Sequence, residues 1–276
     1  MLRIPSLMES WRLMYVMDLQ HEVGMLGCKP ADIPMEVGLK FSKDGGSSID
    51  KERFQRLVCK LIYLSLTRPD IAFQVNVISQ HMMNPNEEHV AVANRILRYL
   101  KKTPEHVLLF KKTQDRTLKV FTDSSWAGEL TERRSTSGYC TSVWGNLVTW
   151  RSKKQSVVSE SSAEAEFRVL ALGMCEGIRL LKLLKELNPY QENRFEILCD
   201  NQSVIQIAWN PVQRDRTKHN EIDKHFISRK INNGVASLSY IPTELQLADV
   251  LTKAFPKFVF DEFISKMGLY TIYSPA

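Results

Sequence analysis

Two strand ends each deliver an aspartate where a chain could use one. The stretch "LKVFTDSSWAG" (118–128) alternates, with Leu118, Val120 and Thr122 on one side and Lys119, Phe121 and Asp123 on the other, then stops in small polar residues. A carboxylate placed there is either a turn residue or chemistry. Asp200 ends a second apolar run, "RFEILCDN", just before a helical pattern. If the two strands pair in parallel, both acids lie at the same sheet edge, where open α/β sheets bind ligands. The plainer reading of Asp200, or of Asn201 beside it, is a helix N-cap.

Two more carboxylates join the comparison. Glu166 borders the apolar stripe of a long helix, beside Phe167 and one turn from Leu170, and Asp249 sits between Leu247 and Val250 in the short amphipathic pattern "LQLADVLTK". Each alone reads as a solvated helix residue. Brought together, four acids repel and raise one another's pKa values unless cations sit among them. Magnesium suits such a set, because it takes oxygen ligands and shares carboxylates with substrate phosphates. Two ions about 4 Å apart can activate water and stabilise the leaving oxygen of a phosphodiester.

The elements needed to position these acids follow from the period. Apolar residues in 7–25 form two helical stripes, and residues 27–50, rich in Gly, Pro, Ser and Asp, read as a long surface connection. From Asp50 to Thr103 three helices are expected in series, with Pro69 and Pro85 in first turns. The last turns Arg95, Arg98 and Lys102 outward, with Lys101 at the margin, a basic face that is normally solvated or, less often, touches phosphate. After residue 105 the period becomes that of strands: a short linking strand "HVLLF", then 117–123, "STSGYCTSVWG" and "NLVTWRS", with Gly145-Asn146 as a hairpin turn. A long helix from Ser161 to Leu187, the strand holding Asp200, helices near 202–209 and 220–232, a strand "ASLSYIP", a helix from Glu244 and one after Pro256 complete the order. Strands first and alternation afterwards describe an α/β mixed sheet flanked by helices.

Composition bounds the function. The 276 residues suffice for two modest domains, and 43% apolar residues supply cores. A net charge of +6 and a pI of 9.0 mildly favour a polyanionic partner. The five scattered cysteines, at 28, 59, 140, 175 and 199, lack zinc spacing and read as reduced thiols, so an intracellular location, cytoplasmic or nuclear, is expected. No apolar run approaches the roughly 18 residues of a membrane span, so no membrane partner is expected, and the opening residues do not read as a leader.

Spacing alone does not assemble the four acids; a resemblance does. "FTDSSWAGELTERRSTSGYC", "WRSKKQSVVSESSAEAEF", "LCDNQSVIQIAWNP", "RTKHNEIDKHFISRK" and "YIPTELQLADVLTK" resemble, in order, the ribonuclease H domain of copia-type retrotransposon Pol polyproteins. The segments "GMLGCKPADIPME", "RLVCKLIYLSLTRPDIAFQVNVISQ" and "RILRYLKKT" resemble the end of the preceding reverse transcriptase. The resemblance implies a mainly helical remnant over 1–112 and a ribonuclease H-like domain with a five-stranded mixed sheet over 113–276. It implies that Asp123, Glu166, Asp200 and Asp249 are the catalytic, metal-binding acids, holding two magnesium ions, with manganese a substitute. Glu164 is the runner-up at the helix position. The implied reaction is endonucleolytic hydrolysis of RNA in an RNA:DNA hybrid, leaving a 5′-phosphate and a 3′-hydroxyl. Hybrid contacts would come from Arg133, Arg134, Ser135, Thr136, Lys153, Lys154, Gln155, Asn201, Gln202, Arg216 and Lys218, and the remaining Pol segments would be partners. The alternative is a catalytically silent or repurposed remnant that binds nucleic acid without cutting it.

The chain also departs from the family. The polymerase turn Tyr-x-Asp-Asp is missing, since "YVMD" (15–18) offers one acid in a helical pattern, so DNA synthesis is not expected. Ser125 stands where many relatives carry a further Asp, Asn220 replaces an apolar residue, and the "IPTELQ" loop lacks a histidine. His219 and His225 do not share a helix face and read as ordinary histidines.

Overall fold

The structure, a computed structural model, describes residues 7–41, 47, 49–126, 133–188, 192–209 and 218–271, with backbone alone at 7–13 and 218–221. The chain forms two compact units, one comprising 1–109 with 254–276 and the other 110–253. Residues 254–276, read from the sequence as part of the second domain, thus cluster with the first.

In the first unit, α1 (Leu7–Glu22) is followed by the expected long connection and then by α2 (Lys51–Ser65), α3 (Ala72–Ser79) and α4 (Glu87–Lys102). Asp50 caps α2 by accepting from the Arg53 amide at 3.0 Å. Pro69 opens a single 3-10 turn ahead of α3. Pro85 instead precedes the cap of α4: Asn86 and His89 exchange bonds as a capping box, so Pro85 lies just outside the helix. A strand β1 (His106–Leu108) pairs antiparallel with the C-terminal strand Leu269–Thr271, so it closes this unit and does not link two domains. The C-terminal helix Lys257–Lys266 sets Phe260 against the Tyr99 ring, centroids 5.8 Å apart.

The basic face of α4 has a use that its pattern did not disclose. Arg98 donates to the Lys29 carbonyl at 2.6 Å, Lys101 to the Cys28 carbonyl at 2.8 Å, and Lys102 pairs with Asp32. Arg95 pairs with Glu36 at 2.6 Å. These side chains fasten the connection to the helix. Deeper in the unit, Arg68 and Asp70 are both fully buried. Arg68 grips Asp70 at 2.6 to 3.1 Å and the Thr103 carbonyl at 2.8 Å, and Tyr99 donates to Asp70 at 2.7 Å. Every charge there has a partner, which a buried pair requires.

The second unit is one five-stranded sheet in the order β4-β3-β2-β5-β6. Its strands are β2 (Leu118–Ser125), β3 (Thr136–Val143), β4 (Asn146–Lys154), β5 (Phe195–Cys199) and β6 (Ala236–Tyr240). The first three form an antiparallel meander, while β2, β5 and β6 run parallel. Trp144 (φ 53°) and Gly145 (φ 75°), not Gly145-Asn146, form the β3–β4 turn. Positive φ at both central positions matches the twist of a two-residue hairpin.

Helix α5 (Ser162–Leu187) starts at the Ser161 cap and lays Phe167, Leu170, Met174, Leu181 and Leu184 into the core. Gly173 lets it approach β2 closely, because a Cβ there would stand 2.6 Å from the Thr122 methyl. Helices α6 (Gln202–Trp209) and α7 (Lys218–Asn232) contribute Val204, Ala208, Ile227 and Ile231 to the same core. Beyond β6 the expected helix from Glu244 is two 3-10 turns, Thr243–Leu245 and Leu247–Leu251. Gln246 separates them because its buried amide donates to the carbonyls of Thr122 (3.1 Å) and Leu198 (3.2 Å), clipping the turn across β2 and β5.

Because Arg68 and Asp70 are matched only by each other and their hydrogen bonds, Asp70→Ala is expected to cost the first unit about 3–5 kcal/mol. Urea unfolding followed by circular dichroism measures this, and a loss within error of zero contradicts the buried network.

Candidate metal centre

The parallel pairing of β2 and β5 sets Asp123 and Asp200 at one sheet edge. Asp200 is free for that edge because Asn201 does the capping, its Oδ1 accepting from the Val204 amide at 3.2 Å. Asp200 Oδ2 accepts from the Thr243 hydroxyl at 3.0 Å. Asp249 arrives from the second 3-10 turn, which lies flat on β3 because Gly138 is opposite. A Cβ on Gly138 would meet Thr252 at 2.6 Å and Leu251 at 2.9 Å. Thr252 in turn donates to Asp123 Oδ2. One carboxylate oxygen from each of Asp123, Asp200 and Asp249 lies within 4.8 Å of the other two.

Glu166 reaches the same place from α5. Its Oε1 accepts from the Ser124 amide at 3.1 Å, and it lines, with Asp123, Asp200, Asn201, Gln202, Ser203 and Tyr240, an open cleft of about 410 Å³. The runner-up Glu164 is engaged elsewhere: it accepts from the Glu160 amide at 2.6 Å and from Arg168 at 2.5 Å, closing the start of α5.

The electrostatics are those of crowded acids. Burial, reinforced by Asp123 and Asp200, lifts the Glu166 carboxyl well above its ordinary value. Asp200 is raised by burial and Asp123. Asp249 is pushed up to about 7, by burial first and Asp123 second, against the opposing effect of Lys253. Lys253 Nζ stands 2.9 Å from Asp249 Oδ2 and 3.9 Å from Asp123 Oδ2. Two buried carboxylate oxygens, Glu166 Oε2 and Asp249 Oδ1, find no hydrogen-bond partner among the described residues. Buried acceptors without donors, beside three clustered aspartates, fit an oxygen-liganded divalent cation.

The expected hybrid-contacting residues divide. Arg133, Lys153 and Gln202 are exposed, and Arg134, Thr136, Lys154 and Asn201 are partly so. Ser135 and Gln155 are buried, which corrects their expected role: the Gln155 amide donates to Ser137 Oγ at 2.9 Å and the Ala165 carbonyl at 3.0 Å, tying β4 to α5. Arg216 lies outside the described residues, and only the backbone of Lys218, at the start of α7, is described. Sequence reasoning overlooked Lys253, Thr243, Thr252, Gln246 and Tyr240. Only Lys253 carried a signal, four residues after Asp249 on a short turn.

With this geometry in view, the comparisons with known proteins are decisive for ancestry. The Pol polyprotein of transposon RE1 from Arabidopsis thaliana is 37% identical over 268 residues, 97% of this chain and 18% of its own length. That of RE2, also from Arabidopsis thaliana, is 34% identical over 98% of this chain and 19% of its own length. That of TNT 1-94 from Nicotiana tabacum is 32% identical over 93% of this chain and 20% of its own length. The chain belongs to the retrovirus-related Pol polyproteins of copia-type transposons. It matches their C-terminal part and spans about a fifth of the length of these curated relatives. No protein family model matches it. Among solved structures, ribonuclease H1 from Halobacterium salinarum aligns with TM-score 0.37 at 12% identity, over 50% of this chain and 94% of that one. LC11-RNase H1 in complex with RNA/DNA hybrid aligns with TM-score 0.36 at 16% identity, over 49% of this chain and 94% of that one. The second unit of this Pol chain is a mixed sheet in which an antiparallel meander is continued by two parallel strands.

The raised acids have a measurable consequence in chelator. Asp249 binds its proton more tightly folded than unfolded, so its contribution to stability is full below its ordinary value of 3.8 and is lost as pH rises toward about 7. The melting temperature of the metal-free chain is therefore expected to fall between pH 5 and 7.5 more steeply than that of Asp249→Asn. Parallel pH profiles contradict the crowding.

Proposed function

We propose that this chain hydrolyses the RNA strand of RNA:DNA hybrids, with Asp123, Glu166, Asp200 and Asp249 holding two divalent ions, magnesium or manganese. The observation that carries this reading is the meeting of three aspartates in one cluster, two of them on the cleft wall with Glu166, with buried, unpartnered oxygens on Glu166 and Asp249. Ions bound there supply activation of water and stabilisation of charge on the phosphodiester.

The chain's own residues do the rest. The Ser124 amide, the hydroxyls of Thr243 and Thr252 and the clip at Gln246 hold the acids in place before substrate arrives. Asn201, Gln202 and Ser203, on the cleft wall beside Asp200, offer donors and acceptors suited to a 2′-hydroxyl, the group that separates RNA from DNA. Exposed Arg133 and Lys153 supply phosphate contacts, which makes binding fall with salt. The remaining Pol segments would present the hybrid. No polymerase function is assigned, because the chain lacks paired carboxylates of the Tyr-x-Asp-Asp type.

A labelled RNA:DNA duplex with magnesium tests the reading. Wild-type protein is expected to cut the RNA strand, and Asp200→Asn to cut it at least about 100-fold more slowly while still binding. Intact RNA at saturating wild-type protein contradicts the nuclease and leaves a binding remnant.

A further inference from the structure

The acidic cluster carries a cation of its own. Lys253 Nζ bears on Asp249 Oδ2 and Asp123 Oδ2 at 2.9 and 3.9 Å. These two acids belong to the trio whose oxygens lie within 4.8 Å of one another. An ammonium and a divalent ion therefore draw on the same carboxylates. The backbone sets this up: the Lys253 amide donates to the Asp249 carbonyl at 3.1 Å, so the lysine rises from the same turn as the acid it pairs with.

Neutralisation by this lysine is partial. It brings one positive charge to a cluster of four acids, and Asp249 Oδ1 stays buried without a partner. The Lys253 side chain is 40% exposed, and its four-carbon stem is flexible. It can move its charge into water while the turn beneath it, held by Gln246 and Gly138, stays in place.

We propose that Lys253 is a displaceable counter-ion, which holds the Asp123–Asp249 side of the cluster together without metal and must swing out before a divalent ion can use those oxygens. The inference rests on the metal-binding reading above. It makes the two sides of the cleft unequal. Ligands around Glu166 and Asp200 face the open cleft, whereas an ion drawing on Asp249 must first displace an ammonium. Divalent affinity is thus set below what the four acids alone would give.

Two measurements on the full chain decide it. In wild type, acetylation of Lys253 by an N-hydroxysuccinimide ester, mapped by mass spectrometry, is expected to accelerate several-fold when Mn²⁺ is added, relative to exposed Lys51. In Lys253→Met, Mn²⁺ binding by titration calorimetry is expected to be about tenfold tighter than wild type, equivalent to about 1.4 kcal/mol. Lys253→Arg keeps the charge and is expected to stay near wild type. Equal Mn²⁺ affinity in wild type and Lys253→Met, or a Lys253 acetylation rate indifferent to Mn²⁺, overturns the proposal and leaves metal binding standing. Absence of Mn²⁺ binding in wild type and variants alike overturns the metal reading and this inference with it. The acetylation arm needs no variant, so it decides even if Lys253→Met does not fold.

Discussion

Like charges crowded at one sheet edge are the constraint on which the second unit turns. Asp123, Asp200 and Asp249 lie close enough to share one ligand, with Glu166 buried beside them, an arrangement that no apolar core would choose. The fold supports the repulsion with local donors. Thr252 serves Asp123, Thr243 serves Asp200, the Ser124 amide serves Glu166, and Lys253 serves Asp249. Close packing holds those donors: Gly173 seats α5 on β2, Gly138 seats the Asp249 turn on β3, and Gln246 fastens that turn to two strand ends. What the donors leave unsatisfied, the second, buried oxygens of Glu166 and Asp249, is where the chemistry belongs.

The first unit handles buried charge in the opposite way. Arg68 and Asp70 meet fork to fork, and Tyr99 and Thr103 take the remaining bonds, so nothing is left to bind. Burial alone therefore does not mark a functional group. Incomplete satisfaction around converging acids does, and that contrast separates a structural ion pair from a candidate metal centre within one chain.

Much of this was legible in the sequence, for local reasons. Alternation in 118–125, the long helix starting near Ser161 with its apolar stripe, and the apolar run ending at Cys199 each respond to short-range pattern, and the structure follows them closely. The choice between Asp200 and Asn201 as cap, and between Glu166 and Glu164 at the cleft, needed coordinates, because neighbouring residues share the same local signals. Long-range bonds were the blind spot. Nothing near Gln246 or Gln155 announces a partner far along the chain, so the 3-10 turns were read as one helix and Gln155 as a hybrid contact. The hairpin turn was misplaced by one residue because Trp144 takes a positive φ that tryptophan rarely adopts. Arg98 and Lys101 of α4 looked solvated because their acceptors are backbone carbonyls, which have no sequence signature, and Arg95 and Lys102 because their carboxylate partners lie some 60 to 70 residues away.

Convergence of the acids on a cation is tested most directly by anomalous diffraction from crystals of the full chain soaked in manganese. A manganese peak bounded by the carboxylates of Asp123, Asp200 and Asp249 is the result expected. Manganese bound only elsewhere, or a cleft that stays empty with Asp249 turned toward solvent, contradicts it.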